Sequence, residues 1–338
     1  MFDSYLFQKM FRLFFVVFLK AHSKIMGYVH FPKNFSVELT NLCNLRCSSC
    51  PRDIMTRDQL CIDFHLLEKI AGEIDNFGTN NVMLHQFGEP LLYPRIFDAI
   101  RLLKSKNNIR NVIFSTNCVL LNEKMGENIV KSGLDKIILA FDGTNKVEYE
   151  EIRVGAKYEA VLQNIENFIS LARKSGVKKP EIVLSVIKTK KNENNINNFI
   201  THWNEKLSGI GYATYVEFTS FGGKVKESEY QTMQNNVLRK KLHRMPCAAL
   251  WGSFTINSSG KVVACCYDIN GEIELGDINK NSIYDVWHSE NYVKIRKSHI
   301  KDNLTDYPMC IKCQNSVNIS QYSKTVIKIV KEFVGIKI

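Results

Sequence analysis

The stretch "CNLRCSSCPR" (residues 43–52) places three cysteines at 43, 47 and 50, with no fourth cysteine or histidine close behind to complete a set. Thiolates select zinc, copper(I) or iron–sulfur clusters. A structural zinc site takes four protein ligands, and here His85 on a later strand is a conceivable fourth. A cubane has four irons, so three cysteines leave one iron open to a substrate or cofactor. The second reading requires groups nearby that can hold the incoming ligand.

Working outward, short apolar runs alternate with helical patterns. The expected strands are 35–40, 81–87, 111–116, 136–141, 181–187 and 214–219, and the expected helices lie near 64–76, 94–107, 122–132, 157–173 and 193–207. In "YEAVLQNIENFISLARK", Val161, Leu162, Ile165, Phe168, Ile169 and Ala172 recur at steps that mark one helix face. Six such alternations predict a parallel sheet covered by helices, as an open sheet or part of a barrel, with ligands at the carboxyl ends of the strands. Cys43, Glu89, Ser115, Asn117 and Asp142 fall at or just past those ends.

The Cys43, Cys47 and Cys50 loop after "SVELT" resembles the signature of the radical S-adenosylmethionine (radical SAM) enzymes. "FGEP" (87–90), "STN" (115–117), "AFDG" (140–143) and "IRVG" (152–155) resemble further segments of that family, so the likeness runs from residue 35 to about 220. It implies that Cys43, Cys47 and Cys50 hold a [4Fe-4S] cluster whose open iron binds S-adenosylmethionine. Gly88, Glu89 and Pro90 would sit by its methionine amino group, Ser115 and Asn117 by the ribose, and Arg153 by the methionine carboxylate, with Asp142 among the cofactor-binding residues after the fourth strand. Reductive cleavage would then release a 5′-deoxyadenosyl radical able to take hydrogen from an unactivated carbon, with the protein positioning it and excluding water. Two positions depart from the family pattern: Ser49 stands where an aromatic or bulky residue is usual, and Phe87 where the motif has its first glycine.

A second cysteine set follows. Cys247, Cys265, Cys310 and Cys313 form two groups that can close a zinc site or hold a fully ligated cluster. Cys247, Gly260 and Cys265, with "LGDINKNSIYDVWHSENYVKIR" (275–296), resemble the accessory domain called SPASM and its shortened form, twitch. With no cysteine after Cys313, the shortened form and one auxiliary [4Fe-4S] cluster are expected. The fold expected is therefore α/β: a partial (β/α)6 barrel of the radical SAM type with a small C-terminal cysteine-rich SPASM/twitch domain. Its parts are a basic, apolar extension (1–34), the radical SAM core (35–225), a linker (226–246), the auxiliary-cluster domain (247–319) and a basic amphipathic tail (320–338).

The formal charge of +11 is not a nucleic-acid signature. Residues 1–34 hold five Lys/Arg against one Asp and residues 320–338 four Lys against one Glu, which leaves the middle only mildly basic. The middle shows no nucleic-acid-binding motif. The run Leu13–Leu19 is too short to span a bilayer. Together with "YSKTVIKIVKEFVGIKI" (322–338) it can lie on an anionic membrane surface or pack on the protein itself. Reduced, metal-binding thiols point to a cytoplasmic protein, with the tails offering peripheral contact to the inner face of the membrane.

Four protein ligands leave the auxiliary cluster no iron for substrate, so electron acceptance suits it. The auxiliary cysteine spacing resembles that of radical SAM dehydrogenases acting on the cyclitol 2-deoxy-scyllo-inosamine. This implies oxidation of a hydroxylated sugar or cyclitol, free or carrier-linked, with a flavodoxin or ferredoxin as reductant. Peptide modification is the alternative enzyme reading, and a non-catalytic metal-bearing protein at a membrane surface the alternative of another class. Cys61, Cys118 and Cys266 read as ordinary packed thiols. His85 reads as a barrel-facing or a satisfied core histidine, Asp142 and Glu217 as groups able to handle a substrate proton, and "TSFGGKV" (219–225) as a turn near the substrate mouth.

Overall fold

In a computed structural model, residues 12–14, 16–17, 31–225 and 244–313 are described. Each apolar run of the first two-thirds hydrogen-bonds to its neighbours in parallel, because a helix carries the chain back between them. The strands are β1 (Asn34–Val37), β2 (Thr79–Met83), β3 (Ile109–Thr116), β4 (Lys136–Ala140), β5 (Glu181–Lys188) and β6 (Gly211–Glu217). The return helices are α1 (Phe64–Phe77), α2 (Ile96–Lys104), α3 (Glu123–Lys131), α4 (Lys146–Ile152), α5 (Tyr158–Ser175) and α6 (Ile196–Leu207). All six strands run in sequence order across the sheet, the arrangement of a partial (β/α)6 barrel.

Period-two alternation sorts the strand residues. Val37, Leu39, Val82, Leu84, Val112, Phe114, Ile137, Leu139, Ile182 and Leu184 are wholly buried and join the helix stripes in one core. Each contributes about 1.5–3 kcal/mol by leaving water. In α5 the stripe is Val161, Ile165, Phe168, Ile169 and Ala172, as the spacing predicts. The opposite face of the strands leaves His85, Ser115 and Ala140 lining a cavity. Side-chain caps fix three helix starts: Asp63 accepts from Leu66 N, Asn122 from Met125 N and Asn145 from Glu148 N. Such caps stabilise by about 1 kcal/mol each.

The structure departs from expectation at the edges. β1 and β2 stop at Val37 and Met83, before the expected 40 and 87; past Val37 the backbone bonds Ile256, Leu60 and Ile62, and past Met83 Leu84 N bonds the Ile113 carbonyl. Helix α4 was not expected. It is short, lies in a polar run, and owes its start to the Asn145 cap.

The C-terminal part adds α7 (Ala249–Gly252), β7 (Ser253–Ile256), β8 (Lys261–Val263), β9 (Glu274–Asp277), α8 (Ile283–His288), α9 (Glu290–Lys301) and α10 (Pro308–Lys312). "NSSGK" (257–261), which reads from sequence as a hairpin turn, joins antiparallel β7 and β8. Gly260 sits there at φ +85°, and a Cβ would meet the Asn279 amide at 2.4 Å. The stretch 282–300, whose sequence reads as a helix or two, forms two helices divided at Ser289, which ends one and caps the next. Less expected is that β7 pairs in parallel with β1, so one nine-stranded sheet runs through barrel and C-terminal part.

Much of the extension, linker and tail, 1–11, 226–243 and 314–338, lies outside the described residues. Arg12 donates to the carbonyls of Arg244 and Ile300, and Val16 is buried, while Leu13, Phe14 and Val17 are exposed. Among the described residues no helix is long and apolar enough to cross a membrane.

Candidate active site

The three cysteines lie on a loop that leaves β1 and is clamped from three directions. Arg52 Nη1 donates to the carbonyls of Cys43 (2.9 Å) and Leu45 (3.1 Å). Arg46 N and Ser48 N bond to the carbonyls of Val154 and Ile152 just past α4. Glu89 N donates to Leu42 O at 2.7 Å. The last contact demands a glycine beforehand. Gly88 has φ +85°, and a Cβ on it would lie 2.4 Å from Thr40 O and 2.7 Å from Leu42 O.

Cys43, Cys47 and Cys50 border a cavity of about 260 Å³ at the carboxyl end of the sheet. Its other walls include Ser49, His85, Gln86, Phe87, Gly88, Glu89, Ser115, Asn117, Asp142, Arg153, Glu217 and Phe221. The structure thus brings together the sequence-predicted residues of the first site; Pro90 starts a short 3-10 turn (Pro90–Leu92) immediately behind Glu89. Ser115 belongs to β3 itself, Asn117 follows its end, and Asp142 lies two residues past β4.

The polar groups are held by specific contacts. The Glu89 carboxylate is buried and accepts from Thr116 Oγ1 (2.8 Å), Asn117 N (2.8 Å) and Leu91 N (3.1 Å). Burial nevertheless pushes its pKa up against those bonds. Asn117 turns its amide to Asn44 Oδ1 at 2.8 Å, with Cys43 Sγ at 3.9 Å. Arg153 follows α4 and reaches both Asp142 Oδ2 (2.5 Å) and Cys47 Sγ (3.9 Å). Asp142 is fixed in turn by Ile187 N at 2.9 Å. Burial raises the thiol pKa of Cys43 and Cys47, and that of Cys50 to about 12. Such sulfurs need a metal to replace the proton.

His85 and Gln86 stand apart. His85 Nδ1 and both amide atoms of Gln86 are buried in this wall without a hydrogen-bond partner. Buried polar atoms in native proteins find partners, so this wall is shaped for a polar ligand. Of the two expectations for His85, a barrel-facing or a satisfied core histidine, its place in the cavity lining matches the first, and its Nδ1 has no hydrogen-bond partner. Gln86 carries no sequence signal for the site, because period two from the buried Leu84 assigns it to the core side; β2 ends at Met83, so that alternation does not hold at Gln86.

A second cavity gathers Cys247, Cys265, Cys310 and Cys313, with Leu250, Ala264, Tyr267, Ile295, His299 and Met309. Burial raises the thiols of Cys247 and Cys310 to about 12, and it raises that of Cys265 well above its ordinary value. Arg244 donates to the carbonyls of Cys310 and Ile311 and so fixes the C-x2-C turn. Cys266 is exposed and outside the lining, and it lies in the turn past β8, not on a strand. Cys118 is buried, and Cys61 is half-buried with its thiol on Thr40 Oγ1.

Among the described residues no three His, Cys, Asp or Glu side chains converge closely enough for a single metal ion. The cysteines instead ring cavities, which suits clusters several ångströms across.

The turn 219–225 joins the two cavities. Phe221 lines the first and Gly222 the second. Phe221 packs between Phe87 (ring centroids 5.9 Å) and Tyr267 (5.3 Å), so the Phe87 departure from the glycine pattern builds part of the partition.

Comparison with known proteins agrees with both centres. Residues 37–199 match the family described as the radical SAM superfamily, and residues 247–314 match SPASM, an iron–sulfur cluster-binding domain. The chain is a radical SAM protein with a C-terminal SPASM domain. Its cofactors are S-adenosylmethionine with its [4Fe-4S] cluster and auxiliary iron–sulfur chemistry in the SPASM domain. A relative in Pyrococcus furiosus, the tungsten-containing aldehyde ferredoxin oxidoreductase cofactor-modifying protein, is 23% identical over 83% of this chain and 87% of its own length. A GTP 3′,8-cyclase of Chlorobaculum tepidum is 26% identical over 40% of each chain, so the radical SAM protein spans under half of that relative. Among solved structures, BtrN in complex with AdoMet and 2-DOIA superposes with TM-score 0.55 at 18% identity, over 84% of this chain and 93% of BtrN. SuiB of Streptococcus suis bound to precursor peptide SuiA gives TM-score 0.65 at 15% identity, over 82% of this chain and 69% of SuiB. Both likenesses are of fold.

Proposed function

We propose that this radical SAM protein is an oxidoreductase that dehydrogenates a hydroxylated small molecule of sugar or cyclitol type, free or carrier-linked. The observation that carries the reading is that His85 and Gln86 line the cavity bordered by Cys43, Cys47 and Cys50 and carry buried polar atoms without a hydrogen-bond partner. Those three cysteines would hold the S-adenosylmethionine-binding cluster. Gly88, Glu89, Pro90, Ser115, Asn117, Asp142 and Arg153 would surround the cofactor, with the Arg153 guanidinium, already beside Cys47, meeting its carboxylate. When bound, cluster and cofactor supply a 5′-deoxyadenosyl radical, which takes a hydrogen atom from a substrate carbon.

The protein's own part is positional. Gln86 offers a donor and an acceptor to substrate hydroxyls, and Phe87 and Phe221 exclude water from that side of the cavity. His85 is held neutral by burial, at about 4, so at neutral pH its ring offers a substrate hydroxyl an uncharged hydrogen-bond partner. Cys247, Cys265, Cys310 and Cys313 would hold the auxiliary cluster, an electron acceptor one turn away across Phe221 and Gly222. The Pyrococcus relative, by name a cofactor-modifying protein, favours a small-molecule substrate over a peptide. The reductant would be a flavodoxin or ferredoxin.

Anaerobic reconstitution, reduction and addition of S-adenosylmethionine should release 5′-deoxyadenosine, and Cys43→Ala, Cys47→Ala or Cys50→Ala should abolish it. Cleavage persisting unchanged rejects those ligands. A cyclitol or sugar deuterated at its carbinol carbon should yield a ketone and deuterated 5′-deoxyadenosine. Cross-linked or epimerised peptide without any ketone would replace this reading by peptide modification.

A further inference from the structure

His299 closes the buried stripe of α9, in which Tyr292, Ile295, Arg296 and His299 recur at steps of three and four. The ring is 3% exposed and lines the four-cysteine cavity. Its Nδ1 receives the backbone N–H of Cys247 at 3.3 Å. A backbone nitrogen can only donate, so Nδ1 must be the bare, accepting nitrogen and the ring hydrogen sits on Nε2. That Nε2 is buried and has no hydrogen-bond partner. A buried donor left so destabilises the fold. Apart from Tyr267, the side chains that share the cavity with it offer sulfur or hydrocarbon.

We infer that His299 donates its Nε2–H to a sulfur of the auxiliary cluster and raises that cluster's reduction potential. The inference rests on the reading that Cys247, Cys265, Cys310 and Cys313 hold the cluster. Reduction adds negative charge that spreads onto the sulfurs, and a fixed N–H beside them stabilises the reduced state. His299 is a positioning and tuning residue. It is not a ligand, since four thiolates already complete the set and Cys247 fixes the ring through Nδ1.

The test uses the full chain carrying Cys43→Ala, Cys47→Ala and Cys50→Ala, so that the auxiliary cluster is the remaining iron centre. After anaerobic reconstitution, about four irons per chain are expected. Absence of iron here overturns the four-cysteine assignment and the inference with it. With iron present, a redox titration followed by electron paramagnetic resonance compares this chain with versions also carrying His299→Leu or His299→Gln. The midpoint should move negative in His299→Leu with iron retained, and return part of the way in His299→Gln, which keeps an N–H donor. An unmoved midpoint overturns the inference, and loss of iron in His299→Leu does so by making the histidine a ligand. Should His299→Leu not fold, isotope-labelled histidine in the parent chain carries the test: a weak nitrogen coupling to the reduced cluster is expected, and its absence refutes the contact.

Discussion

Glu38 and Arg57 meet at two points, Nη1 to Oε2 and Nη2 to Oε1, each at 2.7 Å. The carboxylate is fully buried and also accepts from Phe87 N (3.2 Å), Ser258 N (2.9 Å) and Ser258 Oγ (2.8 Å). One side chain after β1 therefore ties the cysteine loop's downstream arm, the wall ahead of Gly88 and the β7–β8 turn. Arg57 extends the tie to the Ile269 carbonyl, beside which Thr56 and Ile54 bond the Asn270 side chain.

Arg57→Ala strands a buried charge, and stability should fall by about 3–5 kcal/mol. Arg57→Lys keeps the charge but loses the two-point fork and should recover only part of this. Urea unfolding of the holoprotein measures both; a loss under about 1 kcal/mol in Arg57→Ala would show that the tie carries little.

Gly88→Ala forces a methyl against two carbonyl oxygens at a backbone angle that alanine resists. The cysteine loop must move, since the clash is with its own backbone. N-terminal iron should be largely lost and 5′-deoxyadenosine release should drop at least about tenfold, a barrier change of about 1.4 kcal/mol or more, while iron at the auxiliary site persists. Iron analysis with single-turnover assays separates the two centres.

Asp142→Asn leaves the Ile187 contact in place and removes the charge that aims Arg153. S-adenosylmethionine should bind about tenfold more weakly, about 1.4 kcal/mol, with iron content unchanged. Anaerobic equilibrium dialysis reads the constant, and equal affinity in both proteins would detach Arg153 from the cofactor.

His85 carries a pH signature. Burial holds its imidazole at about 4, whereas an unfolded histidine titrates at about 6.5. Between those values the unfolded chain binds the extra proton, so stability rises with pH through that window and is lost as pH falls through it. One such group supplies at most about 1.4 kcal/mol per pH unit. His85→Asn should flatten this slope in urea melts between pH 5 and 7, relative to the unmutated protein. Parallel curves would mean that His85 is solvated and protonates in the folded state.

Local spacing carried a large share of what the chain is. Short apolar runs in the six strands, steps of three and four in α5, and three cysteines at 43, 47 and 50 are encoded within a few residues each, so a parallel sheet, the thiol loop and the hairpin at 257–261 were legible before any folding, while the choice of a partial barrel came from the family resemblance. What the linear chain could not disclose depends on contacts across long separations. Glu38 finds Ser258 220 residues away, and β7 joins β1 to make one sheet of two parts. His299 carries no motif. Its periodicity announces a buried face, but only packing decides that the face looks onto four sulfurs and that one ring nitrogen is spent on Cys247. Helical and strand patterns arise from the backbone's own geometry, whereas a donor's partner is set by which distant surfaces exclude water together.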